Sequence, residues 1–489
     1  MRIQSMSKIN REDRNYLLVL FVIAIIVRLI PELIAYPYPI GYDVVNYYIP
    51  VTTNFQSNWN MVSDQFPLYV VILHLITIVT SLDPPTVVRF AAILIFGFFS
   101  ISIYLLSKKI LHLDQVYCFF LALFVILQIS VLRTSWDLHR DMLSLTSMFF
   151  VLSFGTSNKH LSKNVFALVM ILCIVSVLAD RMIGLLLTTS LIVYAAILKN
   201  RKYMLLATVT SIVFITALLQ GISEIGSNVH ILNGANFVNN VYKPLNLLIL
   251  FAVTNILLIP TSIIGFLNTR QIILKIPLLL SLFGSLSWLI FPSSSGLLPD
   301  RWTFIFSIFL SIFAGYGFVI LINRLTNSVL KYKHVIVITT LIPFIAIGML
   351  FAVTSNERPM SLFAPFHDYV GQFGPMTMQY NSVSIPESKS IVSAIEWINH
   401  NTPIGSHIII DKRWRGWIED ELKDRKFQFY EQEIKSGMQN GQIFLLKLNN
   451  STVPYGKNIE IHGIYNNDNF SLYKISFSKA TSPNRYSLT

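Results

Sequence analysis

From Tyr16 to Val353 the chain is a succession of apolar runs, 13 to 23 residues long, separated by short polar breaks. Every backbone group in lipid must find its partner within the same segment, so runs of this kind fold as bilayer-crossing helices. With 489 residues, 53% of them hydrophobic and 13% charged, the chain is too apolar for a soluble enzyme and too long for a single anchor. The pattern predicts about 11 transmembrane helices: 16–35, 87–106, 116–132, 142–154, 165–179, 182–198, 203–220, 245–267, 272–291, 302–322 and 334–353. Cys118 and Cys173, the two cysteines, fall inside apolar segments, so no disulfide framework is expected.

Charge sets the orientation. Residues 1–15 form a mixed-charge leader without a small-residue cleavage site, so the first helix is expected to remain as an anchor with its start in the cytoplasm. The inner loops then collect Lys108/Lys109, Lys199/Arg201/Lys202 and Arg270/Lys275, as the positive-inside bias requires. This holds only if 66–82, an apolar stretch containing Pro67 and His74, lies in the outer interface or re-enters. The first outer loop, 36–86, is free of lysine and arginine yet carries Gly41-Tyr42-Asp43 just past the first span. The net charge of +12 points to an anionic lipid face and away from nucleic acid, since no basic, aromatic-interleaved soluble module is present.

Beyond Val353 the long apolar runs give way to Pro, Ser, Asn, charges and period-2 patterns. Residues 354–489 are expected to form a small extracytoplasmic α/β domain: a helix from Ile385 to Ile398 with Ile391, Ala394, Ile395 and Ile398 on one face, a strand from His407, a short helix around Trp417, and further strands. Sequons at Asn450 and Asn469 are compatible with that exposure.

On the outer side the polar residues cluster. Asp43 shares its loop with Asp64 and Asp83; Arg133, Asp137 and Asp141 recur at four-residue spacing, with His139 and Arg140 between; Asp180-Arg181 and Asp300-Arg301 each open an inward-running helix. Charges at membrane depth need a partner or a purpose. The structural readings are N-caps for Asp180 and Asp300, a self-neutralising cluster around Arg133 and Asp137, a turn at Asp43, and an i,i+4 pair between Arg28 and Glu32. His74 and His139 lack ligand-spaced partners, which argues against a histidine metal site.

Gly41-Tyr42-Asp43 after the first span, then Pro67-Leu68-Tyr69, Arg89 opening the next helix and an exterior α/β tail together resemble the GT-C superfamily of membrane glycosyltransferases. The dolichyl-phosphate-mannose protein mannosyltransferases and the lipid A aminoarabinose transferases are nearest in layout. The resemblance implies a multi-pass cell-membrane enzyme whose first-loop acid, here Asp43, is catalytic. Val44 follows where that family often has a second carboxylate. It implies a second-loop acid at Asp137 or Asp141, lipid-phosphate contacts from Arg301, Arg181 and Arg89, and further substrate contacts from Tyr47 and Arg140.

That resemblance implies transfer of a sugar from a polyprenyl-phosphate (dolichyl-phosphate) donor to an acceptor hydroxyl on a protein, lipid or glycan. The chemistry needs one general base and a guanidinium clamp on the departing phosphate. A second-loop acid would either hold a divalent cation, Mg or Mn, together with Asp43 or position the acceptor; both readings stand. The rivals are a transporter or lipid flippase, which predicts inverted repeats, mid-membrane charges or broken helices, and a non-catalytic surface-polysaccharide assembly protein.

Overall fold

Nearly unbroken aliphatic sequence makes α1 (Arg11–Ala35). The structure is a computed structural model that describes residues 11–41, 43–55, 67–155, 162–225, 244–290, 298–326, 333–353, 385–411, 414–430, 442–449 and 459–477. The leader up to Asn10, Asp64 and the sequon at Asn450 lie outside the described residues.

After α1 a π-helix, Val44–Tyr48, runs straight into α2 (Ile49–Thr53). Then come α3 (Leu68–Thr80) and α4 (Pro84–Lys109), the latter capped by Asp83, whose carboxylate accepts from the Thr86 amide at 3.0 Å. The membrane region continues with α5 (Gln115–Ile126), α6 (Ile129–Asp137), α7 (His139–Gly155), α8 (Lys163–Ala179), α9 (Arg181–Leu198) and α10 (Arg201–Ile225). It ends with α11 (Pro244–Asn255), α12 (Ile259–Asn268), α13 (Ile272–Ile290), α14 (Pro299–Thr326) and α15 (Lys333–Val353).

The chain is thus a polytopic helical membrane protein, but the expected eleven continuous crossings are not what the described helices give. Six of them, α1, α4, α9, α10, α13 and α14, are each long and apolar enough to cross a bilayer, and the bent pair α5 and α6 brings the number to seven if counted as one span. The crossing expected at 116–132 is bent by 62° between α5 and α6. Gln128 stabilises the break: its backbone is extended, its side chain donates to the Phe124 carbonyl at 2.9 Å, and its own carbonyl accepts the first amides of α6. The crossing expected at 245–267 is interrupted between α11 and α12, where Pro260 supplies no amide to continue the ladder. Asn255, at the end of α11, donates to the Phe251 carbonyl at 2.9 Å and accepts from the Ser307 hydroxyl at 2.7 Å.

Helix α3 spans about 20 Å at ~1.5 Å per residue, short of a hydrocarbon core about 30 Å thick. Tyr69, Val70 and Leu73 are buried on one flank, whereas Leu75, Ile78 and Val79 are exposed, Val79 to 82%. The main core is an aromatic-rich cluster carried by α4, α5, α7 and α14, including Phe99, Phe124, Phe149 and Phe309. Against it α12 and α14 approach backbone to backbone at Gly265 and Gly317, a close fit of the kind that helix association in lipid depends on.

The C-terminal region forms α16 (Ile385–Asn401), β1 (His407–Ile410), α17 (Arg415–Glu421), β2 (Lys426–Phe429), β3 (Ile443–Leu448), β4 (Ile459–Asn466) and β5 (Phe470–Phe477). The sheet order is β2-β1-β3-β5-β4, with β1 parallel to β2 and β3 and the remaining pairs antiparallel. Ile391, Ala394, Ile395 and Ile398 of α16 are all fully buried against Ile408, Phe444 and Leu472 on one face of the sheet. Val45, from the π-helix of the first loop, belongs to the same hydrophobic cluster, so the tail packs directly on the membrane region.

Candidate functional site

The first loop reaches the second through a residue without a side chain. Gly41 has φ +99°, and a Cβ added there would stand 2.6 Å from the Trp136 carbonyl oxygen and 3.2 Å from Asp137 Oδ1. Only glycine takes this backbone conformation without strain while lying so close to another strand of chain. Two residues on, the Asp43 amide donates to Asp137 Oδ1 at 2.7 Å. Asp137 is fully buried, and its Oδ2 accepts from Arg133 at 3.1 Å. With each oxygen accepting one hydrogen bond, Asp137 fixes Asp43 in place.

Asp43 turns its carboxylate the other way. Its Oδ2 meets Arg301, from the first turn of α14, at 3.0 Å, and both side chains keep about a fifth of their surface exposed. The expected single helical face for Arg133, Asp137 and Asp141 is not formed. Leu138, with ψ 59°, ends α6, and α7 begins at His139 in a new direction. Asp141 therefore faces another set of neighbours, where Asp180, Arg301 and Arg140 all act on it and Asp180 lies within side-chain hydrogen-bonding reach. Arg181 joins the same group of charges, acted on by Asp180, Arg301, Arg140 and Asp141. Asp180 is a helix cap, its Oδ1 accepting from the amides of Met182 and Ile183 at 2.8 and 3.0 Å. Asp300 is not a cap of that kind, since it lies within the first turn of α14.

Aromatic rings wall this charge cluster. Arg140 lies over the Tyr47 ring at 5.2 Å from the centroid. Tyr48 stacks on His139 at 5.3 Å and meets Tyr69 edge to face. The Tyr69 hydroxyl lies 3.0 Å from His139 Nδ1, and His139 Nε2 lies 3.2 Å from the Trp136 carbonyl. A carbonyl only accepts, so Nε2 carries the proton and Nδ1 accepts from the tyrosine. His139 is thus spent on bracing the wall.

Arg89 is engaged away from Asp43. It donates to Glu32 at 3.0 Å and to the carbonyl of Pro37 at 3.0 Å, and it covers the Tyr36 ring at 5.4 Å. Glu32 also pairs with the buried Arg28 at 2.7 Å, and Arg28 donates to the Ser135 carbonyl at 3.1 Å. This network ties α1, α4, α6 and the start of the first loop together, with Arg89 as one of its braces.

Sequence reasoning missed the contact with the tail. The amide of Gly416, in α17, donates to Asn46 Oδ1 at 2.8 Å, and Trp417 meets Tyr38 edge to face at 6.2 Å. A Cβ on Gly416 would land on the Val45 carbonyl. Asn46 lies three residues past the Gly41-Tyr42-Asp43 motif, and nothing local marks a partner 370 residues away. Tyr48, next to the expected substrate contact Tyr47, was also missed.

Burial raises the Asp43 carboxyl above the ordinary carboxylate value, and the Asp137 carboxylate raises it further; Arg301, Arg140 and Arg133 pull it back. A carboxylate that serves as a base must be deprotonated, so any activity that depends on Asp43 in that role should fall on the acid side at a pH above that of an ordinary aspartate. In Asp137→Asn one of the raising causes is gone, and the acid limb of the kcat/KM profile should move to lower pH. An unmoved limb would assign the titration to another group.

Among the described residues no group of three or more His, Cys, Asp or Glu could hold a metal ion, and Asp43 and Asp137 are each engaged by an arginine. No family model and no curated protein matches this chain.

Proposed function

We propose that the chain is a GT-C type glycosyltransferase that moves a sugar from a polyprenyl-phosphate donor to an acceptor hydroxyl on the extracytoplasmic side of the cell membrane. The observation that carries this reading is the pairing of Asp43 with Arg301, which sets one carboxylate and one guanidinium together from loops 258 residues apart. Asp43 takes the acceptor proton, the freed oxygen attacks the anomeric carbon, and the bond from that carbon to the phosphate oxygen breaks. The electron pair leaves with the polyprenyl phosphate, and Arg301 balances its charge. Asp43 must first exchange Arg301 for the acceptor hydroxyl, and the donor phosphate is the anion that can take its place on the guanidinium. The π-helix supports this reading too, since π turns recur at functional sites.

A second reading, a lipid flippase, draws on the interruptions at α5/α6 and α11/α12, since broken helices mark transport pathways. One experiment separates the two. Purified protein in lipid nanodiscs is incubated with polyprenyl-phosphate sugars and an acceptor extract, and donor consumption is followed; the transferase reading requires consumption that depends on Asp43. Movement of intact donor between leaflets of a proteoliposome, with no consumption, would favour the flippase.

A further inference from the structure

Two buried polar side chains at the site have no hydrogen-bond partner among the described residues. Both carboxylate oxygens of Asp141 are sequestered from solvent, the residue being 1% exposed, and no N–H or hydroxyl donor among the described residues reaches either of them; the one side chain within reach, Asp180, is itself a carboxylate occupied by the amides of Met182 and Ile183. The Tyr48 hydroxyl, on a residue with no exposed surface, is likewise unbonded. The two belong to one neighbourhood, for the charges acting on Tyr48 are those of Arg140, Asp43 and Asp141. Leaving a buried hydroxyl unpaired costs about 1–3 kcal/mol and a charge more, so buried polar atoms in folded proteins are nearly always satisfied. Two unsatisfied buried groups within one set of interacting charges, together with Asp43 and Arg301, describe a place where a ligand supplies what is missing.

The missing partner has a definite chemistry. Asp141 needs hydrogen-bond donors, and Tyr48 can both give and accept one. A cation is not required: Asp43, Asp137, Asp141 and Asp180 are matched in number by Arg133, Arg140, Arg181 and Arg301, all within the same mutually acting group. Neutral hydroxyls satisfy both orphans without upsetting that balance. A phosphate cannot serve, because it would bring more acceptors and negative charge to a carboxylate that has no hydrogen to donate.

Resting on the transferase reading above, we infer that Asp141 and Tyr48 form the subsite that holds the hydroxyl groups of the donor's sugar ring, Asp141 accepting from the ring hydroxyls and Tyr48 bridging to a further ring oxygen. Asp141 is then a specificity-determining residue and not a second base. Division of labour follows: Arg301 holds the phosphate, Asp43 serves the acceptor, and Asp141 with Tyr48 reads the sugar between them. A site whose own polar groups are orphaned without the substrate discriminates strongly, because an analogue lacking the hydroxyl leaves them unpaired.

The test compares binding of a bare polyprenyl phosphate with the same lipid phosphate carrying mannose, glucose or galactose, using purified protein in nanodiscs. Wild type should bind at least one sugar-bearing carrier more tightly than the bare one. Asp141→Asn and Tyr48→Phe should each lower that affinity at least tenfold while leaving the bare phosphate unchanged. Tyr48→Phe removes only an unbonded hydroxyl, so its thermal midpoint should be no lower than that of wild type, and it carries the test if the aspartate variant fails to fold. Equal losses for bare and sugar-bearing carriers, or no loss for either, would overturn the subsite and leave the transferase reading standing. Failure of wild type to bind any carrier would overturn the transferase reading and the subsite with it.

Discussion

Asp43→Asn should lower transfer about a thousandfold, within the range that a positioned general base contributes. The substitution keeps the backbone amide that donates to Asp137 and the fit of Gly41 against Trp136, because neither contact involves the Asp43 side chain. What it removes is the charge facing Arg301. The guanidinium then has one competing carboxylate fewer, so affinity for a lipid phosphate should hold or rise while turnover collapses. That opposed pair of effects separates a lost base from a damaged fold, which would weaken binding and turnover together. Retention of full transfer in a folded Asp43→Asn protein would remove Asp43 from the mechanism.

Gly416→Ala should cost nearly as much from outside the membrane. Its Cβ has nowhere to go except into the Val45 carbonyl, so α17 must lift away from the π-helix that carries Asn46 and adjoins Asp43. Displacements of about 1 Å at a reacting group cost on the order of a hundredfold in rate, and a loss of that size is the expected result. Asn46→Ala, which deletes one hydrogen bond and adds no bulk, should produce a much milder, few-fold loss. A Gly416→Ala enzyme with normal turnover would show that the tail sits on the membrane region without setting the position of the base.

Part of this arrangement is legible in the sequence, and the division has physical causes. Helix positions such as α1, α4 and α14 follow from apolar runs, because lipid leaves a helix as the only local solution. The bend at Gln128 does not, because one glutamine inside an apolar run looks like any tolerated polar residue until its side chain is seen closing the Phe124 carbonyl. Pro260 was visible, and the interruption it makes in the expected crossing at 245–267 was readable from its missing amide. Arg301 stood out as a charge at a helix start, and its meeting with Asp43 is a tertiary fact that no spacing encodes. Conversely, the four-residue spacing of Asp137 and Asp141 was real in sequence and misleading in space, since Leu138 breaks the helix between them. Gly41 was the most informative single letter: its place in the motif reflects the tight crossing of the two outer loops.

Helix α3 gives the site a depth gauge. Its inner flank, Tyr69, Val70 and Leu73, shares a cluster with Val44, Tyr47 and Tyr48, the residues that follow Asp43. Its outer flank of Leu75, Ile78 and Val79 has no protein against it among the described residues and is matched only by hydrocarbon. The height of Asp43 relative to the bilayer is therefore tied to where that apolar flank comes to rest, so membrane thickness and headgroup packing bear on the geometry of the charge cluster and not merely on its surroundings.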